Sequence, residues 1–277
     1  MPKGLALALG LNAVDPKHYA GWNGELNACE ADAGDMADIA TTKKFAVKTL
    51  LTKAATRKAV STEITKAAKS LKAGDIFMLT YSGHGGQLPD LNGDEPDGQD
   101  ETWCLYDGEL VDDELYRLLG KFREGVRILV FSDSCHSGSV VKAVYYHGIA
   151  VARSTGAMTQ IRYRAMPPDV ALRTYRLNRE FYDPILRNAD LAKAQQTIKA
   201  SVLLISGCQD NQLSSDGDFN GLFTGMLLRA WNQGKFTGTY RTFHKTIVQR
   251  MPPEQTPNYF RAGTVNTAFA AQKPFTI

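Results

Sequence analysis

Five short apolar runs, Leu5 to Leu11, Phe45 to Leu51, Ile76 to Tyr81, Arg127 to Ser132 and Val202 to Ser206, restrict this chain most. They read as strands, and helical spacing fills the intervals at about Glu30 to Thr41, Arg57 to Leu71 and Asp112 to Lys121. Such alternation predicts an α/β fold, a mostly parallel central sheet with helices on both faces. Ligands of such sheets bind beyond the carboxyl ends of the strands. Further on, Gly221 to Gln233 and Tyr240 to Met251 read as helices, and Thr264 to Ile277 as a closing strand region.

Two glycine-flanked segments fall at those carboxyl ends. Tyr81-Ser82-Gly83-His84-Gly85-Gly86 follows the third run, and Ser132-Asp133-Ser134-Cys135-His136-Ser137-Gly138 follows the fourth. Neighbouring parallel strands would present His84 and Cys135 side by side. A thiolate is the reactive form of cysteine, and an adjacent imidazole lowers its pKa and later protonates a leaving amine. The glycines keep the backbone clear for a substrate. His136 adjoins the cysteine and is expected to point elsewhere, and no Asp or Asn is clearly placed to orient His84, so the reading is a dyad. The backbone amides of Gly85 and Cys135 are the expected oxyanion donors. Period-2 alternation puts Asp133 on the face of Cys135 and Ser82 on that of His84.

The two motifs together, in this order and roughly fifty residues apart, resemble the caspase-like clan of cysteine peptidases, and within it the metacaspases. The resemblance implies a caspase-like fold in one catalytic domain over 1–277. It divides into a large-subunit-like part (1–142), a variable insertion or linker (143–200) and a small-subunit-like part (201–277). It also implies that Asp133, Ser82 and the Cys29-Glu30-Ala31-Asp32 segment line a pocket for arginine or lysine, with Asp210 adding negative charge. The substrates expected are polypeptides with Arg or Lys before the scissile bond. The linker carries scattered arginines, Arg153, Arg162, Arg164, Arg173, Arg176, Arg179 and Arg187. It reads as a family-variable insertion or, more pointedly, as a segment that the enzyme itself cuts. Two other readings keep the fold: a catalytically silent interaction module, and a ligase resolving the same acyl-enzyme with an amine.

The loop from Asp90 to Glu101 imitates part of an EF-hand register, but Glu95 takes the place of the required glycine. By resemblance, Asp100, Asp112 and Asp113 occupy three carboxylate positions of a regulatory calcium site. The fourth position is Lys142, whose ammonium argues against a calcium requirement, so no cofactor is expected to be required.

Composition narrows the partners. With 277 residues and 43% hydrophobic content the chain can bury a large single core. A net charge of +3, with 32 basic residues spread along the chain, gives no sign of nucleic-acid binding. The apolar run near Gly4 is about half a membrane span and opens a sheet rather than a signal peptide. Cys29, Cys104, Cys135 and Cys208 show neither metal nor disulfide spacing, which suits a reducing cytoplasm. His18, His147 and His244 carry no chemistry in this reading, and the chain is expected to be monomeric.

Overall fold

The computed structural model describes residues 1–93, 95, 97–134, 163–207, 216, 219–253 and 255–277. Its central sheet runs in the order β2-β1-β3-β7-β8-β9. The strands are β1 (Gly4–Gly10), β2 (Ala46–Leu51), β3 (Ile76–Ser82), β7 (Arg127–Asp133), β8 (Ser201–Ser206) and β9 (Asn258–Gly263). All neighbours pair in parallel except β8 and β9.

Side-chain alternation divides the core in two. On one face Phe77, Leu79, Tyr81, Ile128 and Val130 pack with Val60 and Ile64 of α2 (Arg57–Ser70) and Leu118 and Leu119 of α3 (Asp112–Leu119). On the other, Met78, Leu129, Phe131, Leu203 and Ile205 meet Met36 and Ile39 of α1 (Cys29–Thr42). The same face receives Phe223 and Leu227 of α6 (Leu222–Trp231) and Phe243 and Ile247 of α7 (Tyr240–Val248). Each such large side chain contributes about 1.5–3 kcal/mol when fully buried. Helix starts are fixed locally. The Thr56 side chain accepts from the Ala59 amide at the head of α2, and Asn12 Oδ1, arriving from beyond β1, accepts from the Cys29 and Glu30 amides at the head of α1.

Two features depart from the sequence reading. A separate antiparallel sheet, β4 (Gly85–Pro89), β5 (Gln99–Leu105) and β6 (Gly108–Val111), grows from the His84 turn and carries the acidic loop between its first two strands. At the other end Thr264 to Ile277 is not a strand. The last strand is β9, an edge strand whose partly exposed residues lack apolar alternation, and Asn266 then caps the short helix α8 (Thr267–Ala271) by accepting from the Phe269 amide. Within the linker, α4 (Pro168–Leu177) packs through Val170 in a cluster with Cys104 of β5, and α5 (Arg179–Leu186) through Tyr182 with Leu88 of β4 and Val111 of β6. The Glu109 amide donates to the Tyr182 hydroxyl.

Candidate functional site

β3 and β7 run in register to their ends, pairing Ser82 with Asp133. The chain then turns through Gly83, whose amide donates weakly to the Asp133 carbonyl at 3.4 Å, into His84. His84 is buried. Its backbone is pinned by the Tyr81 hydroxyl, which donates to the His84 carbonyl at 2.6 Å. Its Nε2 lies 3.0 Å from the Gly24 carbonyl, and Trp22 leans over the ring with centroids 4.7 Å apart. Gly24 sits at φ +55°, a left-handed conformation, and a Cβ there would press on both Trp22 and His84. Burial pushes the imidazole pKa down to about 4, against the Gly24 carbonyl and the Ala165 backbone, which favour the charged form. His84 Nδ1 has no hydrogen-bond partner among the described residues. Cys135, Lys142, Cys208 and Asp210 lie outside the described residues. Ser134, just before Cys135, is fully buried, its hydroxyl 2.9 Å from that of Ser132.

Beside this turn the expected pocket residues converge. Asp32 and Ser82 are hydrogen-bonded at 2.8 Å, and Asp133 takes the Thr224 amide at 3.1 Å and hydroxyl at 2.8 Å. The Gly221 amide donates to Asp32 at 3.0 Å, as does Asn220. The N-terminus of α6 therefore faces two carboxylates, the polarity its dipole favours. Cys29 is buried close to Ser82, and burial pushes its thiol pKa up to about 12, which keeps it protonated and unreactive.

The pocket is filled by the chain itself. Arg164, with no solvent exposure, lays its guanidinium among three carboxylates: Asp32 at 2.7 Å, Asp133 at 2.9 Å and Asp216 at 3.0 Å. It also donates to Ser82 at 2.7 Å. A Cβ on Gly221 would come within 2.4 Å of the guanidinium, so the bare glycine backbone makes the room. Burial disfavours the Arg164 charge, but Asp133, Cys29, Asp32 and Asp216 outweigh it and drive the pKa up. For Asp32, burial raises the pKa and Arg164 only partly offsets it. The backbone of the same segment is bound as well. The Gly85 amide donates to the Arg164 carbonyl at 2.9 Å, and the Met166 amide donates to the Gly85 carbonyl at 2.8 Å. Gly85 and Ala165 form a parallel bridge. The sequence reading lacked Asp216, Gly221 and any role for Arg164. Nothing local marks them, because each acquires its meaning only when distant segments meet.

The acidic loop resolves differently from its motif. Carboxylate oxygens of Glu95, Glu101 and Asp112 lie within 4.8 Å of one another. Asp100 and Asp113 are buried nearby, and Asp113 accepts from the Asn92 side chain at 3.2 Å. Burial, then Glu101, Asp113 and Asp100, lift Asp112 well above the carboxylate range, and its Oδ1 has no hydrogen-bond partner among the described residues. These hard oxygen donors fit a divalent cation such as calcium.

The statistical model of the caspase domain family matches residues 3–269. The chain is 30% identical over 257 residues to metacaspase-1 of Coccidioides immitis, a match spanning 80% of this chain and 52% of that protein. It spans about half to three fifths of the length of the first curated relatives it matches. The crystal structure of a Geobacter sulfurreducens protein is 65% identical, covers 100% of this chain and 99% of its own, and superposes with a TM-score of 0.86. Caspase-1 of Spodoptera frugiperda, at 11% identity, covers 95% and 86% with a TM-score of 0.52, a likeness of fold.

Proposed function

The chain belongs to the caspase domain family, and from that premise we propose that it is a cysteine endopeptidase cutting after arginine or lysine with a Cys135/His84 dyad. The observation that carries the specificity is the arginine side chain already held among Asp32, Asp133, Asp216 and Ser82. A pocket that buries a guanidinium this completely has the charge and acceptor geometry for a basic residue before the scissile bond, whereas an aspartate there would add a fourth carboxylate.

The residues divide the work as follows. The Gly85 amide, with that of Cys135, steadies the oxyanion of the tetrahedral intermediate. His84, neutral at physiological pH, takes the thiol proton and returns it to the departing amine. Gly24 and Trp22 fix its ring. Asp210, proposed to add negative charge to the pocket, lies outside the described residues. Glu95, Glu101 and Asp112, with Asp100 and Asp113 behind them, would hold calcium, which when bound would supply positive charge that fixes the loop after β4. With Lys142 in the fourth family position we propose that activity does not require it. Free, buried Cys29 and Cys104 suit action in a reducing cytoplasm. Arg241 and Arg261, on α7 and at the β9 edge, discourage edge pairing and suit a monomer. Among the described residues no helix is long and apolar enough to cross a membrane.

The test is a fluorogenic peptide panel with Arg, Lys or Asp before the cleaved bond. Arg and Lys peptides are turned over and Asp peptides are not, and Cys135→Ala or His84→Ala abolishes turnover while circular dichroism stays unchanged. Efficient cleavage after Asp, or turnover surviving in Cys135→Ala, overturns the reading.

A further inference from the structure

The central sheet ends on β9, and no described strand pairs with its outer edge. Antiparallel pairing with β8 sets Leu203 opposite Arg261 and Ile205 opposite Tyr259, so Tyr259 and Arg261 share the face covered by α6 and α7. Phe260 and Ala262 take the other face, where Phe260 is exposed and Ala262 packs against the core of the α2 side. A groove of about 340 Å³ runs beside this edge, lined by Ser201, Leu203, Arg241, Tyr259, Arg261 and Phe269 among others. The Arg241 guanidinium lies over the Tyr259 ring, 5.5 Å from its centroid. Both arginines oppose the rise that burial causes in the Tyr259 pKa, so two positive charges flank one phenol. Both are exposed, and neither has a carboxylate at ion-pair distance among the described residues.

An open sheet edge is a template for another strand, and its side chains select which strand enters. A second copy of this chain is a poor match. Antiparallel self-pairing about a two-fold axis centred on β9 would set the two Arg261 guanidiniums opposite or diagonal to each other, a like-charge contact. A strand with acids at alternate positions reverses the sign of that contact. We propose that the β9 edge is a docking site for an extended acidic segment of a partner protein. The segment adds as a further strand, turns a carboxylate at every second residue toward Arg261 and Arg241, and lays the intervening apolar residues beside Phe260. Backbone pairing supplies affinity that any extended chain can use, and the charge alternation supplies selection, because a guanidinium holds a carboxylate through paired hydrogen bonds. The proposal does not rest on the peptidase reading, whose pocket residues Ser82 and Asp133 lie across β8 on β3 and β7.

The probe is a fluorescein-labelled (Glu-Val)3 peptide, read by polarisation against the Cys135→Ala chain so that nothing is cut. It is expected to bind at least about tenfold more tightly than (Gln-Val)3, which lacks the charge, and than Glu-Glu-Glu-Val-Val-Val, which has the charge without the alternation. Hydrogen exchange across Asn258–Gly263 slows when (Glu-Val)3 is bound, which places the contact on β9. Arg261→Glu and Arg241→Glu each weaken binding at least about tenfold while circular dichroism stays unchanged, and the double variant takes (Lys-Val)3 more tightly than the Cys135→Ala chain does. Should Arg261→Glu misfold, Arg241→Glu, exposed on α7, gives the same reading. Equal affinity for the three peptides, or binding untouched by both variants, overturns the proposal. So does a concentration-dependent dimer that slows exchange in β9 and leaves (Glu-Val)3 unbound, since the edge then belongs to a second copy.

Discussion

Around Arg164 three carboxylates, Asp32, Asp133 and Asp216, share one guanidinium. Along the loop into β5 and the head of α3, Glu95, Glu101 and Asp112 converge instead, with Asp100 and Asp113 close by. In the pocket, burial raises the pKa of Asp32 and Arg164 is the foremost influence pulling it down. In the loop, burial and three neighbouring acids all push Asp112 upward, and a backbone hydrogen bond is the opposing influence. The difference teaches that carboxylates gathered for cation recognition are stable when the cation is built in. Where the charges facing an acid are themselves acids, as around Asp112, a cation or a proton relieves their repulsion.

The widest separation between the two regions comes from stability. In the Cys135→Ala background, Arg164→Met strands three buried acids and is expected to cost about 3–5 kcal/mol in urea unfolding. Asp112→Asn removes repulsion and is expected to cost less than about 1 kcal/mol or to stabilise. Equal losses at the two positions would erase the contrast.

Catalysis sharpens the pocket side. Asp133→Asn keeps the shape and removes one charge facing the guanidinium, so kcat/KM on Arg peptides is expected to fall about a hundredfold, near 2.7 kcal/mol. Cys29→Ser, a protonated thiol behind Ser82, is expected to change it by less than about fivefold. Comparable losses in the two variants would remove Asp133 from specificity.

A third acid lies between the extremes. Glu109 is fully buried, takes the Thr102 hydroxyl at 2.6 Å, and has one oxygen without a hydrogen-bond partner among the described residues. Burial pushes its pKa up to about 8. The folded chain therefore keeps a proton that the unfolded chain releases from about pH 4.5 upward, and Glu109 lowers stability as pH rises toward 8. His84, with its pKa depressed to about 4, acts oppositely, losing its stabilising contribution as pH falls from 6.5 toward 4. The two slopes oppose each other from about pH 4.5 to 6.5. From 6.5 to 8 the histidine no longer opposes Glu109, whose share of the loss is expected to be about 2 kcal/mol and to be missing from the curve of Glu109→Gln. Parallel pH-stability curves for the two proteins would show Glu109 ionised throughout.

Calcium gives the smallest effect. The activity of the unmutated chain is expected to change by less than about twofold when a chelator is added, and Lys142→Asp is expected to make activity rise with calcium. Strong activation of the unmutated chain by calcium would show that the loop takes its cation from solution rather than from Lys142.

Much of the framework was legible in the chain. Strand ends at Ser82 and Asp133 differ by one residue from the runs Ile76 to Tyr81 and Arg127 to Ser132, because central parallel strands are buried on both faces and read as unbroken apolar runs. The small β4–β6 sheet escaped notice because Gly85, Gly86 and Gly108 supply no apolar alternation, and β9 because edge residues such as Arg261 face solvent. Within the site, Asp32, Ser82 and Asp133 were marked by motifs adjoining strands or a helix start. Asp216 and Arg164 were not, since a lone acid and one linker arginine among seven carry no signal until the fold closes on them. The metal motif named Asp100, Asp112 and Asp113, while the converging oxygens belong to Glu95, Glu101 and Asp112, because side-chain direction across a hairpin does not follow sequence order.

The strand order has a bearing on how cutting any one bond of the 143–200 linker would look from outside. β7 lies on one side of that bond and β8 on the other, yet they are neighbours in the sheet interior, joined from Arg127–Ser201 to Ser132–Ser206. Their shared core residues, Val130 and Val202 on one face and Phe131 and Leu203 on the other, have no other place to go. A severed chain would therefore travel as one particle on a sizing column and part into two only in detergent. Its history would be written in its covalent structure and hidden in its shape.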